Sequence, residues 1–164
     1  DALDRLFEDY DVSENDYKSF LKTWLFKRYD YVMKELSPVI NKEYIDVYRN
    51  IFINDNEIDS LINGDDPLGE YWTHENQYIE GWGDENKKHV LIHGIIKNED
   101  IDWITTMKRN MNYLHGDHEK EISITENNCI KIIQILIEDN EVSVKNSYRL
   151  CGRKSNILNI QKNF

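Results

Sequence analysis

The hydrophobic period of this chain changes once, at Pro38, and that change sets the fold class. Upstream the spacing is helical. Leu3, Leu6, Phe7 and Tyr10 recur at i, i+3, i+4 and i+7, and a longer stripe runs through Tyr17, Phe20, Leu21, Trp24, Leu25, Val32 and Leu36. Ser13-Glu14-Asn15-Asp16 resembles a capping box with Asp in its third position, which starts the second helix near Ser13. Ser37-Pro38 ends it, because a proline disfavours the helical state of the residue before it. The aromatic stripe reads as core packing.

Downstream the pattern becomes that of strands. Ile45 to Ile53 is rich in β-branched and aromatic residues, and Val47, Arg49 and Ile51 share a face opposite Tyr48, Asn50 and Phe52. A short helix over Glu57 to Ile62 stops at Asn63-Gly64. Leu68 to Thr73 reads as a strand and His74 to Trp82 as a helix. His89 to Lys97 is a strand, Asp100 to Tyr113 a helix, and Glu119 to Ile124 and Ile130 to Ile137 are strands. Val142 to Lys145 is placed as a hairpin partner across Asp139-Asn140. The expectation is one α+β domain over 1–164, with a helical segment at 1–37 and a mostly antiparallel sheet with inserted helices at 42–164.

With 164 residues, 40% hydrophobic, the chain is long enough to bury a core. A formal net charge of -11 argues against a sequence-independent grip on nucleic acid, which needs a basic face. No apolar run reaches the roughly 18 residues that cross a bilayer. Two cysteines, Cys129 in an apolar run and Cys151 near the end, argue against a disulfide framework and for a reduced, cytoplasmic setting. The chain begins at Asp rather than Met, which leaves a removed leader or a trimmed start open.

Four places carry candidate chemistry. Arg49 stands in an apolar strand, where a guanidinium must snorkel out, pair with a carboxylate, or meet an anion such as phosphate. Gly69-Glu70-Tyr71-Trp72-Thr73, followed by Tyr78 and Trp82, could form a slot for a flat ring, with Tyr71 and Trp82 on its two sides; core packing is the plainer reading of each aromatic. The loop Leu114 to His118 follows a helix and precedes Glu119 and Glu121. In a strand those two carboxylates project to one face and repel each other unless a ligand or a function compensates. His115, Asp117, His118, Glu119 and Glu121 are each possible metal ligands, but no ligand spacing emerges, and His89 and His93 stand about 13 Å apart along a strand. No metal is expected.

The order of these elements resembles the ADP-ribosyltransferase superfamily. An arginine in a first strand (Val47-Tyr48-Arg49), an aromatic-hydroxyl strand (Tyr71-Trp72-Thr73) and a late Glu-x-Glu (Glu119-Lys120-Glu121) are similar to its R-S-E branch of cholera-like and C3-like toxins, over roughly Tyr44 to Ile137. The resemblance implies a split-sheet core of that type and NAD+ as substrate. It implies that Arg49 holds the phosphates, with Tyr48, Tyr71, Trp72, Thr73, Tyr78 and Trp82 around the dinucleotide. Thr73 stands for the first serine of the Ser-Thr-Ser motif, Glu121 for the catalytic glutamate beside an oxocarbenium-like transition state, and Glu119 for the residue that orients an acceptor arginine. A protein acceptor, a neutralising or regulatory protein partner, and action in the cytoplasm or in a target cell's cytosol are implied with it. No nucleic acid or membrane partner is expected.

The chain departs from the branch in two ways. Thr73-His74-Glu75 lacks hydroxyls at its second and third positions, and Tyr71 with Trp82 eleven residues on is similar to the paired tyrosines of the diphtheria-like H-Y-E branch. Two other readings stand beside transfer: NAD+ glycohydrolysis on the same residues, and an acidic module that binds a partner's basic surface without catalysis.

Overall fold

The computed structural model describes residues 16–76, 86–112, 120–125 and 128–151. It has a helix α1 (Tyr17–Ile40), then β1 (Tyr44–Ile53), a 3-10 turn (Asp55–Glu57) and α2 (Ile58–Asn63). After them come β2 (Tyr71–Thr73), β3 (Lys88–Lys97), a second 3-10 turn (Asn98–Asp100) and α3 (Trp103–Asn112). Four strands complete it: β4 (Glu121–Ser123), β5 (Cys129–Ile137), β6 (Asn140–Glu141) and β7 (Tyr148–Leu150). The class is α+β, with a helix first and one open sheet in the order β4-β2-β1-β3-β5-β6, to which β7 adds on β5. Each of these strand pairings is antiparallel. No helix among the described residues is long and apolar enough to cross a membrane.

The centre of the sheet is the full ten-residue ladder of β1 on β3, from Tyr44–Lys97 to Ile53–Lys88. Alternation gives it one apolar face. Ile45, Val47, Val90, Ile92 and Ile96 are buried there, joined by Ile130, Ile132, Ile135 and Ile137 from β5. The other face carries Tyr48 stacked on His93 and Phe52 against His89. There His93 bonds Asp46 at 2.8 Å and His89 bonds Asn50 at 2.8 Å. β-Branched residues dominate the apolar face because a pleated, half-buried surface accepts them well.

Several expectations are corrected. Pro38 lies inside α1 and does not end it. A proline at that position leaves the carbonyl of Lys34 without its helical N–H, and the Ser37 hydroxyl donates to that carbonyl at 2.7 Å, so the helix runs on. Its start is at Tyr17, with Asp16 as a cap residue whose side chain makes no cap bond, while Ser13 to Asn15 and the first stripe from Leu3 to Tyr10 lie outside the described residues. Of the stripe from Phe20 to Leu36, only Val32 and Leu36 are buried, joined by Val39; Leu25 is 45% exposed.

The strand expected over Leu68 to Thr73 is reduced to β2, and His74 to Asn76 are not helical. The hairpin after β5 turns at Glu138 and Asp139, both at positive φ (47° and 63°), and its returning strand is β6; the Val142 N–H still donates to the Ile135 carbonyl at 3.0 Å, but Val142 to Lys145 form no strand. Two successive left-handed residues make the tight turn whose twist matches paired strands. Strand β7 was not expected.

α3 closes the outer edge of β4. The Asp102 N–H donates to the Ser123 carbonyl at 2.9 Å, the Ser123 N–H donates to Thr106 Oγ1 at 3.0 Å, and Asn110 Nδ2 donates to the Glu121 carbonyl at 2.8 Å and to the Thr106 carbonyl at 2.8 Å. Thr106 and Asn110 are fully or almost fully buried (0% and 2% exposed), so these bonds have no water to replace them. Asn110→Ala should therefore lower unfolding free energy by about 2–3 kcal/mol in urea denaturation, more than an exposed asparagine of the same helix would.

Candidate functional site

The register brings together residues far apart in number. Tyr48 pairs with Thr73, and Thr73 pairs with Glu121; Tyr71 pairs with Ser123 and Trp72 with Ile122. Directly opposed residues share a face, so Tyr48, Tyr71, Thr73, Glu121 and Ser123 lie on one side, and Trp72 and Ile122 on the other. Because the backbone groups of Glu121 and Ser123 point outward to α3, the pairs Thr73–Glu121 and Tyr71–Ser123 are the non-hydrogen-bonded ones, where side chains approach most closely.

Arg49 is not on that face. Its place in the strand puts it with Trp72, on the apolar side. Its guanidinium turns back into the seam between β1 and β2, which are joined by the single pair Tyr48–Thr73. There Nη1 donates to the Tyr71 carbonyl at 2.7 Å. That carbonyl points toward β1, and the guanidinium takes it where a longer ladder would have supplied a backbone N–H. The lack of a side chain at Gly69 makes room: a Cβ there would stand 2.8 Å from Nη1. Gly69 is also at φ +83°, a conformation that glycine adopts without strain. Burial holds the Arg49 guanidinium below the ordinary arginine value. Trp72 is buried and its indole N–H donates to the Gly69 carbonyl at 3.0 Å, so it is a wall of the core and not a ring-stacking surface.

Tyr71 joins the two halves of the cluster. Its carbonyl holds Arg49, and its ring, 40% exposed, lies under a second guanidinium that sequence reasoning did not single out. Arg109, from the last turn of α3, sits 3.5 Å from the Tyr71 ring centroid and donates from Nη1 to Glu121 Oε1 at 3.3 Å. Only the Arg109 position relative to Glu121, twelve residues apart in the sequence, could have signalled this, and no periodic rule links them. Glu121 is 7% exposed, and among the described residues it is the one buried carboxylate. Its Oε2, and the hydroxyl of Ser123 two residues on, have no hydrogen-bond partner among the described residues.

Lys120 fixes the strand start. It stands at φ 48°, left-handed and unusual for a side-chain-bearing residue. Its ammonium bridges Glu35 of α1 at 3.0 Å and Glu75 at 2.5 Å, and the bond to Glu75 is the chief cause that raises its pKa. The His74 N–H donates to the Lys120 carbonyl. Thr73 Oγ1 accepts the Glu75 N–H at 3.2 Å, which orients the hydroxyl next to Glu121. Cys151 is buried near Arg49, and burial pushes its thiol up to about 12; Cys129 is exposed and both are free. Glu119, Tyr78, Trp82 and the loop Leu114 to His118 lie outside the described residues.

No protein-family model, curated protein or solved structure matches the chain.

Burial, aided by the Lys120 ammonium and opposed by Glu75 and Glu35, holds the His74 imidazole below its ordinary value of 6.5. The native ring is thus neutral. The stability this contributes is present above about pH 6.5 and is lost as pH falls through the lowered folded value. The urea midpoint should fall as pH drops below about 6.5, and His74→Gln should flatten that part of the profile; an unchanged slope in the variant would remove His74 as the cause.

Proposed function

We propose that the chain is a mono-ADP-ribosyltransferase that moves ADP-ribose from NAD+ to a protein acceptor, with arginine as the modified residue. One observation carries the reading: in a chain with 31 acidic residues, the one buried carboxylate among the described residues is Glu121. It is held opposite a threonine hydroxyl position and beside exposed Tyr71. Burying an anion against one long ion pair is unfavourable, and such a group persists where its charge has a use.

The residues present suit a dinucleotide substrate. Arg49 stands on the opposite face from Glu121 and turns into the β1–β2 seam, where it is bonded to a carbonyl and pairs with no carboxylate among the described residues. In this reading its charge attracts a diphosphate from that seam, not from beside Glu121. When bound, NAD+ supplies nicotinamide as leaving group: the ribose C1′–N bond breaks with its electron pair going to the pyridine nitrogen, and an acceptor nitrogen, losing a proton to solvent, bonds to C1′. Glu121 faces the positive charge that grows on the ribose and interacts with it more strongly in the transition state than in the ground state. Thr73 and Lys120 hold the carboxylate's surroundings: one is its cross-strand neighbour, the other ties the strand start to α1 and to Glu75. Glu119 takes the acceptor-orienting role in this proposal.

Labelled NAD+ incubated with the purified chain and a cell lysate should mark a protein band. Glu121→Gln should keep the melting-point rise that NAD+ gives the folded protein while transfer falls about 10²–10³-fold, equivalent to about 3–4 kcal/mol. Wild-type turnover in the variant would sink the role of Glu121. Nicotinamide release without a labelled band would redirect the reading to glycohydrolysis, and no melting shift at millimolar NAD+ would redirect it to a non-catalytic binding module.

A further inference from the structure

We propose that the Tyr71 ring and the Glu121 carboxylate form a binding site for a guanidinium group, which Arg109 occupies in this structure and yields to an arginine side chain of a partner protein. As a cation site it stands on the contacts alone, and it is separate from the acceptor-orienting role proposed above for Glu119.

The site has a floor and a wall. The Tyr71 ring lies 3.5 Å below the Arg109 Cζ, and Glu121 Oε1 receives the Arg109 Nη1–H at 3.3 Å. A flat, delocalised cation can stack on a ring and reach a carboxylate at the ring's edge together, which a compact ammonium cannot do as well. Both surfaces are rigid. Tyr71 and Glu121 belong to neighbouring strands in register, and the Glu121 backbone is bonded to the buried Asn110.

The occupant is held loosely. Arg109 makes one long bond to the carboxylate, its side chain is 34% exposed, and it stands on the last turn of α3, so rotamer changes alone carry its head to solvent. A second, independent observation points to an incoming ligand. Glu121 is more than nine-tenths buried, yet its Oε2 has no partner among the described residues. A guanidinium that approaches square to the carboxylate donates to both oxygens at once. Arg109, tethered to α3, reaches only one. A free arginine side chain can therefore make a better match to this site than the residue that now fills it.

The binding of agmatine, a small guanidinium compound, tests this by isothermal titration calorimetry without NAD+. Arg109→Ala and Arg109→Met should each bind agmatine about tenfold or more tightly than the wild-type chain, since an internal competitor has been removed. The methionine variant keeps an aliphatic stem over Tyr71 and serves where the alanine variant does not fold. The gain should vanish when Glu121→Gln is added, and shrink with Tyr71→Leu. Affinity equal to or below wild type in both Arg109 variants would overturn the proposal, as would a gain that survives Glu121→Gln. Agmatine binding with no NAD+-dependent transfer would overturn only the transferase reading, and transfer without the gain only this one.

Discussion

The sealing of the β4 edge by α3 is the contact on which the rest of the site depends. A three-residue strand at the margin of a sheet has little hold of its own, and its outward N–H and C=O groups need partners. Here one backbone N–H and two side chains of α3 supply them: Asp102, Thr106 and Asn110. The consequence for chemistry is direct. With the outward hydrogen bonds of Glu121 and Ser123 taken by the helix, their side chains fall in the close pairs with Thr73 and Tyr71. The same helix, one residue before Asn110, brings Arg109 over the Tyr71 ring. One packing contact therefore sets the register of the carboxylate and the position of its cation.

Arginines are placed in this fold by carbonyl oxygens more than by the abundant carboxylates. Arg49 bonds the Tyr71 carbonyl, Arg28 of α1 bonds the carbonyls of Asn110 and Met111 at the end of α3, and Arg149 bonds those of Leu61 and Ile62 at the end of α2. The last carbonyls of a helix have no N–H within it and carry the negative end of the helix dipole, so a guanidinium satisfies both needs. The arrangement explains why an excess of acidic residues did not predict the partner of Arg49. The carboxylates are mostly solvated at the surface, while the carbonyls that need donors are inside.

That difference marks the limit of what the chain's sequence made legible. Alternation gave the faces of β1 correctly and β3 was read as a strand, because a period of two in a ten-residue run leaves little freedom. Termini and short elements were not legible. The passage of α1 through Pro38 turns on one serine hydroxyl, and the β5–β6 hairpin turns on two left-handed residues that are not glycine. At the site, Thr73 and Glu121 were read from local pattern and prove to be neighbours. Arg109 was not read, since its contact with Tyr71 arises only when β2 and β4 pair and α3 folds over them. Arg49, expected to hold the phosphates of a dinucleotide in one site with Glu121, lies on the other face and touches the cluster through the Tyr71 carbonyl.

Unpartnered buried polar atoms sharpen the distinction between a site and a structural compromise. Two sets occur among the described residues outside His74: Nε and Nη1 of Arg149, and Oε2 of Glu121 with Oγ of Ser123. Each such atom costs roughly 1–3 kcal/mol when water is excluded. The Arg149 set has a packing explanation. Its Nη1 would lie 1.5 Å from a Cβ at Gly64, so the guanidinium fills the space over a left-handed glycine, and its other nitrogen closes the end of α2. The Glu121 set has no such explanation. Both atoms sit on the face that also bears an exposed aromatic ring and a displaceable cation, and a leucine or valine pair at 121 and 123 would remove the cost without disturbing the backbone bonds to α3. A fold chosen for stability alone has no reason to keep them, and that supports the site proposed at the β2–β4 pair.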